Sequence, residues 1–204
     1  MKRLYLLMIA LVFSVAACDS DSPTSVEQGI QRSDEGSTLD FAAAGLPGHA
    51  TVLRLVGTGV AYDSMVPDID GDGEDDGALC FDIDLLDASG RIIGTATDCL
   101  SEITSVDGGL ALVGTTIFNM ANGTFMSRGN TTVQPLTTTE PSPASHTTGA
   151  IPMPGTNGVL SGSGAYRNLQ AEVRLSGAVN LTKLESMGEI TFDCLFSVRP
   201  LSNR

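Results

Sequence analysis

Tryptophan is absent from this 204-residue chain, histidine occurs twice, and Lys plus Arg number 11 against 24 Asp plus Glu, for a net charge of -13. So little positive charge argues against nucleic acid as a partner, because a phosphate backbone is bound by Lys and Arg that displace its counterions. The histidines have no Cys or His partner at metal-ligand spacing, which argues against a zinc site. No Gly-x-Ser-x-Gly elbow, phosphate-cradling loop or nucleotide fingerprint is present. A long apolar run is missing too. The longest, Leu4 to Val15, covers 12 residues, short of the roughly 20 that a membrane-crossing helix requires.

That run is instead part of an export signal. Lys2-Arg3 precede it, and Val15-Ala16-Ala17-Cys18 follow it as a small-residue cleavage site ending on cysteine. The arrangement resembles the lipobox of bacterial lipoproteins, which implies lipidation of Cys18, removal of residues 1–17 and a membrane anchor facing the periplasm or exterior of the cell envelope. Losing Lys2 and Arg3 takes the net charge from -13 to -15, so attachment would rest on the acyl chains. Residues 18–48, rich in Ser, Asp, Glu, Thr and Gly, read as an acidic flexible tether. Residues 49–204 form the folded domain.

In that domain alternating apolar and polar positions recur between turn residues, the signature of β-strands. Eight strands are expected: Thr51 through Tyr62, Leu79 to Leu86, Arg91 to Cys99, Leu110 to Phe118, Thr124 to Val133, Gly158 to Ser163, Ala171 to Leu181 and Gly188 to Val198. With no convincing amphipathic helix, the fold class is all-β, an eight-stranded antiparallel up-and-down barrel, closed so that no sheet edge is exposed. The Thr/Ser/Pro-rich segment from Pro135 to Asn157 reads as a lid or a disordered excursion. His146, within it, is read as a surface side chain, with a place in such a lid as the alternative.

Centring one hairpin turn between Ser89 and Gly90 sets Cys80 opposite Cys99. Facing Cα atoms lie about 4.5–5.5 Å apart, within disulfide range, and an exported protein permits the bond. Cys194 then remains as a buried free thiol.

Asp68-Ile69-Asp70-Gly71-Asp72-Gly73-Glu74-Asp75-Asp76 follows the front of a calcium loop. Asp68, Asp70, Asp72 and Asp76 stand at positions 1, 3, 5 and 9, Glu74 offers its carbonyl at position 7, and Gly73 makes the turn. Position 12, normally a bidentate Glu, is Leu79, with Asp82 a late substitute. Two readings stand: a depleted site with a Kd of about 10⁻⁴ to 10⁻³ M, or a solvated acidic loop. In the last strand Ile190, Phe192, Cys194, Phe196 and Val198 share one face and Thr191, Asp193, Leu195 and Ser197 the other. Alternation leaves open which face lines the lumen. If the second does, Asp193 is a carboxylate in an apolar cavity, suited to general acid or base catalysis; otherwise it is exposed or paired with an Arg.

Several of these stretches carry a resemblance. Gly123-Thr124-Phe125, Ser161-Gly162-Ser163-Gly164-Ala165-Tyr166-Arg167-Asn168, Ala171-Glu172-Val173-Arg174-Leu175 and Thr191-Phe192-Asp193-Cys194-Leu195-Phe196 resemble the allene oxide cyclase barrel and, more loosely, the dirigent proteins. The resemblance spans Gly109 to Val198 and lies in the shape of a barrel corner. It implies an apolar lumen that shapes a hydrophobic small molecule, with isomerase or cyclase activity as the enzymatic form of that function. The alternative is a non-catalytic binding or scaffolding barrel of the envelope with a calcium-stabilised loop. The oligomeric state is left open.

Overall fold

Phe81, Ile83 and Leu85 alternate with the exposed Asp82 and Asp84, and this two-residue period assigns the walls of the molecule. The apolar set points into a barrel and the acidic set points out. The computed structural model describes residues 49–138, 142–151 and 157–201. The export signal, Cys18 and the whole of the tether lie outside the described residues. Ten strands are present among them: β1 (Thr51–Val60), β2 (Tyr62–Val66), β3 (Asp76–Leu86), β4 (Ile92–Val106), β5 (Gly109–Met120), β6 (Gly123–Pro135), β7 (His146–Ala150), β8 (Gly158–Gly162), β9 (Ala171–Asn180) and β10 (Glu189–Pro200). A single helical turn, α1 (Leu184–Met187), connects β9 to β10.

All pairings are antiparallel, and the sheet runs β1-β10-β9-β7-β6-β5-β4-β3 before returning to β1 through Arg54↔Leu86 and Leu55↔Leu85. Only Ala61 separates β1 from β2, which extends the same staff along β3 from Tyr62↔Cys80 to Val66↔Asp76. β7 and β8 share the position between β6 and β9, one at each level. Counted by position, the barrel is closed and eight-stranded, as expected.

Within the Pro135–Asn157 segment, the described residues around His146–Ala150 depart from the expectation of a lid or structureless excursion. His146–Ala150 is a strand, bonded to β6 on one side and β9 on the other. Its sequence, His-Thr-Thr-Gly-Ala, carries no apolar alternation, because backbone pairing on both flanks holds it in place of side-chain burial. The β4–β5 hairpin also extends beyond the expected strands to an Asp107-Gly108 turn in which both residues have positive φ.

One end of the barrel is plugged by aromatic rings. Phe118 stacks on Phe125 at 4.5 Å and meets Phe196 edge-on at 5.2 Å. Tyr166 completes the plug against Phe125 at 5.5 Å, with its hydroxyl toward Met120 Sδ. Such pairs add about 0.5–1.5 kcal/mol each beyond burial. The glycine-rich corner exists to deliver that tyrosine. The Ser163 N–H donates to the Thr124 carbonyl and the Ala165 N–H to the Asn122 carbonyl, binding a 3₁₀ turn (Gly164–Tyr166) onto the β5–β6 turn. A Cβ on Gly162 would lie 2.1 Å from the Tyr166 carbonyl oxygen, and Gly164 has φ +55° with its Cβ position 2.4 Å from the Asn122 oxygen. Neither position admits a side chain without displacing backbone.

Candidate functional site

Beyond the aromatic plug, toward the end that carries the Asp107-Gly108 turn, the lumen holds a cavity of about 100 Å³. Its walls are mainly aliphatic, from Leu55, Leu79, Leu100, Leu112, Leu175 and Val179, over a floor that includes Phe192 and Phe196. The polar lining is sparse: Asp98, Thr116, Ser127, Arg128, Thr131, Thr148 and Asn157, of which Asn157 also carries a buried Oδ1 without a hydrogen-bond partner among the described residues.

Asp98 follows from strand register. Phe81 points inward on β3 and pairs with Asp98 on β4, so Asp98 points inward as well. On β5 its partner is Thr116, whose hydroxyl donates to Asp98 Oδ1 at 2.7 Å. The residue is only 7 % exposed, and no Lys, Arg or His forms an ion pair with it among the described residues. Burial raises its pKa from the usual carboxyl value to about 6, against the partly offsetting bond from Thr116. Cys194, inward on β10, is buried, and its pKa is pushed up to about 12, first by desolvation and then by the negative charges of Asp98 and Asp193. It stays a protonated thiol at neutral pH and is unsuited to nucleophilic attack.

Asp193 is not in the lumen. The face of β10 that looks inward is Ile190, Phe192, Cys194, Phe196 and Val198, all buried, because that face offers two phenyl rings to the core. Asp193 therefore points outward, its side chain 69 % exposed, 3.5 Å from the Arg54 guanidinium. The catalytic role considered for Asp193 required the other orientation. The buried carboxyl is Asp98.

Cys80 and Cys99 are joined by a disulfide, with Cα atoms 4.0 Å apart. The β3–β4 turn carries a bulge, with Leu86 opposite Ile92, and the extra residue restores the register in which Cys80 faces Cys99. Both cysteines lie on the outer wall, since Cys80 shares a face with Asp82 and Asp84, yet both are buried in a small cluster with Val66 and Ala78, with Ile69 against it. The acidic loop covers them. Arg128 on the outer face of β6 holds that loop, donating from its guanidinium to the carbonyls of Pro67 and Asp68 and to Thr115 Oγ1.

Within the loop, Asp68, Asp70 and Asp76 bring one carboxylate oxygen each to within 4.8 Å of one another. Asp72 and Glu74 are not in that group. Asp72 Oδ1 accepts the Glu74 N–H at 2.8 Å, and Asp68 caps the turn by accepting from the Gly71 and Gly73 N–H groups. Asp82 is engaged elsewhere on the outer wall, accepting from the Tyr62 and Thr97 hydroxyls. His146 bonds through Nδ1 to the Ser145 hydroxyl at 2.7 Å, and the described residues gather no second metal-ligand cluster around it.

Asp98 stood in the sequence as part of an ordinary strand, Thr95-Ala96-Thr97-Asp98-Cys99. The signal that identifies it is indirect: the alternation of β3 sets its inner face, and the cysteine register transfers that face to β4. No protein-family profile matches this chain, and no curated protein was found to match it.

Proposed function

We propose that this protein is an exported, lipid-anchored envelope barrel that binds a small apolar molecule in its lumen, in the manner of the allene oxide cyclase-like barrels it resembles. The observation that carries the binding reading is the aliphatic cavity with one buried carboxyl, Asp98, on its wall. That combination of apolar lining and few placed polar groups is the general character of small-molecule sites. At about 100 Å³ the cavity is smaller than the roughly 300–1,000 Å³ of drug-sized ligand sites, which favours a short ligand over a long-chain fatty acid. Isomerase or cyclase chemistry, if present, would use Asp98 as its acid or base. The anchor rests on the basic, apolar and Cys18-terminated segments of the leader.

Native mass spectrometry of the protein expressed in a bacterial periplasm, followed by solvent extraction, tests both parts. The expected result is a mature chain beginning at an acylated Cys18 and a small apolar molecule released on extraction. A chain cut elsewhere removes the anchor. A barrel that arrives empty and ignores added apolar molecules removes the lumen function.

The convergence of Asp68, Asp70 and Asp76 favours a second reading, a scaffolding barrel whose loop binds calcium. With a Kd near 10⁻³ M, calcium at ten times that concentration is expected to stabilise the fold by about 1.4 kcal/mol, and Asp76→Asn to abolish the effect. No binding heat in calorimetry and an unchanged melting temperature would end this reading.

A further inference from the structure

Asp98 is oriented for more than packing. One carboxyl oxygen, Oδ1, is occupied by the Thr116 hydroxyl, and among the described residues the second, Oδ2, has no hydrogen-bond partner. The side chain lines the cavity, so Oδ2 is the group available to whatever fills it. A carboxyl that accepts at Oδ1 carries its proton on Oδ2 and then presents a donor to the cavity.

Resting on the lumen as the binding site, we infer that protonated Asp98 is the residue that selects the ligand: an apolar molecule bearing one hydrogen-bond acceptor, a ketone, aldehyde or ester carbonyl, which takes the Oδ2 proton in a hydrogen bond. Three features of the surroundings agree. The neighbouring hydroxyl of Thr116 is already spent on Oδ1, leaving Oδ2 as the carboxyl's free donor. The aliphatic walls would desolvate a charged ligand without compensation, which selects a neutral one. Among the described residues no cation forms an ion pair with Asp98, although Arg128 is among the residues around the cavity. Arg128 on β6 is bound to the Thr115 hydroxyl and to the Pro67 and Asp68 carbonyls, and Arg54 on β1 faces Asp193 on the outer wall. The titratable group facing Asp98 from β10 is Cys194, a neutral thiol; β3 presents Phe81 and β5 presents Thr116.

Binding is then linked to pH. The carboxyl titrates at about 6; below that value the donor is present, and above it the cavity holds a carboxylate that repels a carbonyl oxygen. The competent fraction, and with it the apparent affinity, falls as pH rises.

The test is an NMR titration of the purified full chain at millimolar concentrations of 2-butanone and of 2-methyl-1-butene, in which a methylene replaces the carbonyl oxygen. At pH 5 the ketone is expected to bind about tenfold more tightly than the alkene, the worth of one hydrogen bond. The ketone's affinity is expected to fall about 10- to 100-fold by pH 8, while the alkene's does not fall. Asp98→Asn presents an amide N–H where the protonated carboxyl has its O–H, so it should keep the ketone preference and lose the pH dependence. Asp98→Leu should bind the alkene and lose the preference. Equal binding of ketone and alkene by the wild-type protein at pH 5 overturns the inference and leaves the lumen as an unselective apolar site. Failure of both probes to bind overturns the lumen reading itself.

Discussion

At pH 8, Asp98→Asn is expected to make the barrel more stable, by up to about 3 kcal/mol, whereas at pH 4 the variant and the wild-type protein should unfold at nearly the same denaturant concentration. The carboxyl titrates at about 6 when folded, against 3.8 in the absence of the fold, and each unit of difference corresponds to about 1.4 kcal/mol. Between these values the native state holds a proton that the unfolded chain has released. Stability therefore falls as pH rises through the window from about 4 to about 6 and stays lower above it. The physical source is the cost of placing an unpaired carboxylate in an aliphatic lumen, a cost the neutral amide does not incur. Asp87 and Glu172 act in the opposite sense. The Ser89 hydroxyl and Arg91 on Asp87, and Arg174 with Arg199 on Glu172, hold those carboxyls below their usual range, so their stabilisation is present at neutral pH and is lost as pH falls. The difference between wild type and Asp98→Asn cancels these contributions, and urea unfolding of the pair at pH 4 and pH 8 isolates Asp98. A stability difference equal at both pH values would show that folding leaves the Asp98 carboxyl titrating as it does in the unfolded chain. A site that retains such a costly group is a candidate for function on physical grounds.

The second large effect concerns the outer wall. Replacing both Cys80 and Cys99 by alanine is expected to cost about 3 kcal/mol, since the disulfide closes a separation of 19 residues and a loop of that size removes about this much freedom from the unfolded chain. The loss should not remain confined to the cross-link. The cysteines are the floor on which Val66, Ala78 and Ile69 pack, so the acidic loop above them should become more exposed, and hydrogen exchange of the Ile69 and Gly71 amides, which are bonded to Asp76 and Asp68, should accelerate with it. Thiol counting supplies the control. In the denatured, unreduced domain Cys194 alone should react, and in the folded domain it should not, being buried and strongly protonated. A double variant as stable as the wild-type protein would mean that the hairpin register and the covering loop hold β3 to β4 without the bond.

What the sequence determined by itself was local. Two-residue alternation places the strands, the spacing about Ser89-Gly90 brings Cys80 within one place of Cys99, a step the bulge beside the turn then supplies, and the glycines before Tyr166 mark a barrel corner, because each of these depends on neighbours along the chain or across one hairpin. The identity of the lumen carboxyl was within the same reach: once Phe81, Ile83 and Leu85 are taken as the inner face of β3, the cysteine register turns Asp98 inward. It was obscured because Asp98 lies beside a cysteine that faces away from the lumen yet is buried, so its burial offers no hint of which face is inside. Tertiary structure alone decided the rest. Which face of β10 looks inward, and hence that Asp193 meets Arg54 in solvent, is fixed by closing β1 onto β10 around a shared aromatic core, a contact between the two ends of the domain. β7 has no apolar pattern of its own and exists because β6 and β9 stand on either side of it with unpaired backbone. The acidic loop lies on the outer wall because Arg128, some 60 residues further along the chain, donates to its carbonyls. Each of these choices is made by residues distant in sequence, and side-chain period carries no record of them.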